Sequence, residues 1–105
     1  MPASTFPSVI GADKQGGENA SVVSANETNQ LKTNAGRVFR LIVTALGTAE
    51  TVTIYDHASA NTNPVYTETY SGTAPLIRDL NIPCGNGIRV VQSGTAAGTF
   101  TLTWS

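Results

Sequence analysis

A chain of 105 residues with 12% charged side chains and a net charge of −1 is the size of one domain and lacks the basic balance that nucleic-acid binding requires. No apolar run approaches the ~18 residues of a membrane span, and the single cysteine, Cys84, cannot close a disulfide within the chain. The low charge also means weak self-repulsion, which suits a protein packed against others.

Residues 1–19 read as an extended N-terminal arm. Pro2, Pro7, Gly11, Gly16 and Gly17 interrupt any regular element, and Phe6, Val9 and Ile10 are the only sizeable apolar groups. So little apolar surface cannot fold alone, so these three side chains are expected to seat in pockets of a partner subunit, the alternative being that the arm packs on its own domain. The start, MPASTFPSVIG, has no basic n-region and no long apolar h-region, and a signal peptide is not expected. On that reading the sequons at Asn19-Ala20-Ser21 and Asn26-Glu27-Thr28 are chance matches.

Residues 20–105 read as one β domain. Short strands are predicted at 20–24 and 29–33, followed by a turn at Asn34-Ala35-Gly36. The run 36–46, GRVFRLIVTAL, is the longest apolar stretch and favours a pleated backbone through its Val and Ile residues. Phe39, Leu41, Val43 and Ala45 share one face, expected in the core. Val38, Ile42 and Leu46 share the other, expected to meet a loop, the arm or a second subunit.

Further strands follow. Residues 50–57 alternate, with Val52 and Ile54 opposed to Thr51, Thr53 and Tyr55. Residues 65–70 alternate again, with Tyr66, Glu68 and Tyr70 on one side; 76–82 places Leu76, Leu80 and Ile82 together with Arg78 among them, and Pro83 is expected to end it. After the turn Gly85-Asn86-Gly87 come strands at 88–92 and 99–104; Phe100, Leu102 and Trp104 oppose three threonines. The core is expected to hold Val52, Ile54, Leu80, Val90, Phe100 and Leu102, with Trp104 closing it. No window carries a capped helical period. Seven or eight short strands at this spacing predict an all-β antiparallel sandwich or jelly roll.

No residue pattern announces a reaction, so an enzyme is not expected. His57 has no second His or Cys to complete a zinc shell and reads with Asp56 as a polar pair at a strand end. Glu50, Asp56, Glu68 and Asp79 show no apolar pocket to raise one pKa of a hydrolytic pair. Gly85-Asn86-Gly87 opens no helix, so it is no phosphate loop, and Cys84 beside it reads as a small apolar filler. No metal or cofactor is expected. Tyr55, Tyr66, Tyr70 and Trp104 could form a sugar-stacking platform; Tyr66 and Tyr70, sharing a strand face, could equally anchor an interface.

The run GRVFRLIVTALGTAETVTIYDHAS and the tail CGNGIRVVQSGTAAGTFTLTWS resemble the opening and closing strands of small β-sandwich virion proteins of tailed bacteriophages. The resemblance covers residues 34–105 and lies in strands and turns. It implies a head-decoration (cement) protein on the capsid surface, assembled in the host cytoplasm. Its partners would be the major capsid protein and other copies of itself, as a homotrimer. The alternative it leaves open is a receptor- or carbohydrate-binding module of a tail or fibre.

Overall fold

The computed structural model describes residues 19–105; the arm anchors Phe6, Val9 and Ile10 lie outside the described residues. Eight strands follow in order: β1 (Asn19–Val23), β2 (Thr28–Lys32), β3 (Gly36–Ala45), β4 (Thr51–Tyr55), β5 (Pro64–Thr69), β6 (Leu76–Cys84), β7 (Ile88–Ser93) and β8 (Thr99–Trp104). No helix occurs among the described residues.

The strands form two four-stranded sheets, with orders β1-β8-β3-β6 and β2-β7-β4-β5. Every pairing within them is antiparallel. Only β4 and β5 are consecutive strands of one sheet; every other connection crosses to the opposite sheet. That crossing makes both sheets depend on one shared core.

The core follows from period-two alternation. The first sheet contributes Val23, Val38, Leu41, Val43, Phe100 and Leu102, and the second contributes Val52, Ile54, Ile88 and Val90, all buried. Cys84 and Tyr70 complete it, and Leu80 and Trp104 pack against it while partly buried. The arrangement is sandwich-like: residues from both inner faces meet in one cluster.

Three expectations about the central strand are corrected, one of them at Ala45, which follows a slip in register after Val43 and is exposed, not in the core. Val38 is fully buried and belongs to the core, whereas Phe39 is only half-buried and does not join it. The cause is an irregularity between Val38 and Arg40 against both neighbours: Val38 faces Trp104 and Ile82, while Arg40 faces Thr103 and Asp79. The extra residue shifts the inward phase, so Val38, Leu41 and Val43 point in. Pro83 does not end its strand either, since β6 runs through it to Cys84. β6 is an edge strand, where a residue without an N–H is tolerated.

Candidate functional site

The two outer faces differ in chemistry. On the second sheet, Thr51 bonds Thr69 through their hydroxyls at 2.7 Å and Thr53 bonds Thr67 at 3.0 Å. These threonines spend their polar groups on one another across β4 and β5. Tyr55 continues the same face, paired with Arg89 of β7.

On the first sheet a row of three apolar residues and one threonine crosses the four strands. Val22 of β1 stands opposite Thr101 of β8, Thr101 opposite Ile42 of β3, and Ile42 opposite Ile77 of β6. Opposed residues of an antiparallel pair lie on the same face. Val22 is 69% exposed and Ile77 57% exposed, so the row ends in open apolar groups at both edges. The next row reads Ala20, Thr103, Arg40 and Asp79. Its two charges neutralise each other through a 2.6 Å contact from Arg40 Nε to Asp79 Oδ1. Beside the apolar residues of the first row, the charges of the second row are paired with each other.

Of the residues expected on the second face of the central strand, only Ile42 lies on this outer surface. Leu46 packs against the core, and Val38, with no exposure, can offer no surface to a partner.

Tyr66 and Tyr70 come together, but inside the edge of the molecule. Tyr66 and Glu68 of β5 and Tyr70 just past its end alternate inward. The Tyr66 hydroxyl donates to Glu68 Oε1 and lies 3.4 Å from the Tyr70 hydroxyl. From β6, Arg78 Nε reaches Glu68 Oε1 at 3.0 Å and Arg78 Nη2 reaches Oε2 at 3.0 Å. The cluster joins the edge strand of one sheet to that of the other. Arg78 holds the Glu68 carboxyl below its ordinary range, and burial foremost raises both tyrosines above theirs. With Tyr70 5% exposed, and Tyr55 on the opposite side of its sheet, these rings do not assemble into a stacking platform. Trp104 donates its indole N–H to Ser21 Oγ at 3.0 Å beside the core.

Two further polar networks fasten the ends of the sheets. At one end the Asp56 carboxyl accepts from the amides of Gly85 (3.1 Å), Asn86 (2.7 Å) and Gly87 (3.3 Å). His57 Nδ1 accepts from the amides of Ser59 at 3.0 Å and Ala60 at 2.9 Å, so the ring's proton sits on Nε2 when neutral. Gln30 ties this end together, donating to the carbonyls of Lys32 (2.8 Å) and His57 (2.9 Å) while accepting from Arg89 Nη1 at 2.9 Å.

At the other end Glu50 and Gln92 are each 1% exposed. Glu50 accepts from the amides of Gly47 (3.3 Å) and Gly98 (3.0 Å) and from Gln92 Nε2; the same Nε2 also donates to the Gly98 carbonyl at 3.0 Å. Gly98 must lack a side chain here, since a Cβ would sit 2.6 Å from Glu50 Oε1 and against the Ala45 carbonyl. The carboxyls of Asp56 and Glu50 are thus occupied by the chain's own backbone. No group of three or more His, Cys, Asp or Glu side chains able to hold a metal occurs among the described residues. Cys84 is buried, and that burial pushes its thiol up to about 11.

Comparison of the chain with protein families, with curated proteins and with solved structures finds no match.

Proposed function

We propose that this chain is a structural protein of a tailed-bacteriophage virion, acting by binding: a head-decoration (cement) protein that covers the capsid lattice and contacts the major capsid protein and other copies of itself. The observation that carries this reading is the neutral apolar row Val22–Thr101–Ile42–Ile77 across the outer face of the first sheet. A solvent-facing sheet surface usually alternates to polar, as the threonine ladders of the second sheet do. An apolar row bordered by polar residues fits a surface that another subunit covers.

Two further features support the proposal. The strand orders β1-β8-β3-β6 and β2-β7-β4-β5 support reading the two sheets as an eight-stranded jelly roll, an architecture that viral capsid proteins share with lectins and cupins. The resemblance of residues 34–105 to phage virion proteins points to the first of these. Phe6, Val9 and Ile10 would add arm contacts on a neighbouring subunit. Full burial of such side chains stabilises by about 1.5–3 kcal/mol each, offset by ordering at about 1–2 kcal/mol per residue, so the arm binds effectively only alongside the docked domain.

The test is quantitative mass spectrometry of purified particles of the phage that encodes the chain. Hundreds of copies per particle are expected. A handful would move the chain to the neck, tail or fibre, and absence from particles would refute the proposal.

A further inference from the structure

Among the described residues, four strands end the two sheets: β1 and β6 in the first, β2 and β5 in the second. A free edge presents N–H and C=O groups to any other strand, and natural proteins blunt edges with proline, charge or bulges. Three of these four edges carry such devices. β6 contains Pro83 and the left-handed Asn81 (φ 51°), beside a slip in register. β5 begins at Pro64, follows the left-handed Asn63 (φ 60°) and slips beside Tyr55. β2 slips between Gln30 and Lys32 and ends on that lysine.

β1 carries none of them. Its sequence, NASVV, has no proline and no charge. Its register runs unbroken from Asn19 opposite Trp104 to Val23 opposite Phe100. It also bears Val22, at 69% the most open large apolar side chain among the described residues.

We propose that the edge of β1 pairs with β1 of a second copy, antiparallel about a twofold axis, joining two first sheets into one eight-stranded sheet. The segment suits its own copy. It is neutral, so identical strands meet without opposing like charges. A twofold axis allows a residue to face itself across the contact. The register that sets Val22 against Val22 of the second copy joins both apolar rows end to end, from Ile77 of one copy to Ile77 of the other. The five-residue strand makes the contact short, so the dimer dissociates on dilution. The twofold replaces the trimer that the phage resemblance implies, and the inference rests on the reading of the chain as an assembly protein.

The experiment uses the full chain. Sedimentation equilibrium across a concentration series is expected to show a monomer–dimer equilibrium. Val22→Lys should weaken it on the order of tenfold or more, since two lysines would stand opposite each other. In parallel, Val22→Cys should form a symmetric interchain disulfide under mild oxidation, while Ile77→Cys, equally a surface site on the same face, should not; Cys84 is buried in both. The cysteine pair decides the matter by itself if Val22→Lys fails to fold. A monomer at every concentration, a trimer, or equal crosslinking of both cysteine variants would overturn the inference. Dimers that never enter particles would leave it standing and refute the virion role; monomers that do enter particles would do the reverse.

Discussion

Replacing Glu50 by alanine probes the buried network at the end of the sheets most sharply. The carboxyl accepts from two backbone amides, Gly47 and Gly98, and from the Gln92 side chain. Alanine leaves both amides without an acceptor inside the protein, while Gln92 keeps its bond to the Gly98 carbonyl. A buried donor left unpaired costs about 1–3 kcal/mol; the buried Gly98 amide bears that in full and the half-buried Gly47 amide less, so the loss is roughly 1–4 kcal/mol. Against a domain stability of about 5–15 kcal/mol that is a large fraction. Urea unfolding with linear extrapolation reads it directly, as a lowered midpoint at an unchanged slope. Glu50→Gln retains one acceptor oxygen and should lose less than Glu50→Ala. A loss below about 1 kcal/mol for Glu50→Ala, with the slope unchanged, would refute the reasoning, because the amides would then have found partners elsewhere.

Phe100→Ala, emptying a site between Val23 and Val43 in the core, should cost about 3–5 kcal/mol in the same assay. Glu68 is held below its ordinary range by Arg78, so its contribution is present above the usual carboxylate pKa of about 4.3 and is lost as pH falls through the lowered folded value. Glu68→Gln should therefore flatten the acid limb of the stability profile, and an unchanged limb would discount the ion pair. Burial raises the Cys84 thiol to about 11, so its contribution is full below the thiol's ordinary range and is lost as pH rises through about 11. At neutral pH a thiol reagent should label Cys84 only at the rate of unfolding, and rapid labelling of the native protein would contradict its burial.

The strands were legible because their alternation is local. In 99–104 three large apolar groups alternate with threonines, and Phe100 and Leu102 are buried in that phase. The sharing of a face by Tyr66, Glu68 and Tyr70, and the place of Arg78 among leucines, were also readable; that the two edges face each other across the sandwich was not, because the contact joins different sheets. Glu50 shares its phase with Val52 and Ile54, and that parity was the one local signal of its burial. The slip beside Phe39 left no such mark, since it depends on pairing with both β6 and β8. It moved Val38 into the core and removed it from the expected interface. Asp56 was read as half of a surface pair, and the three amides it holds lie 29 to 31 residues away, beyond any local pattern.

The most direct test of the assembly role is binding of the full chain to particles that lack it, followed by co-sedimentation. The unmodified protein is expected to saturate at a fixed number of copies per particle. Ile42→Asp places a charge at the centre of the apolar row without touching the core. It should keep the fold by circular dichroism and lose binding by roughly a hundredfold, as expected when a contact costs about 2–3 kcal/mol. Undiminished binding of folded Ile42→Asp would contradict the assignment of this face, and failure of the unmodified chain to bind would contradict the account as a whole.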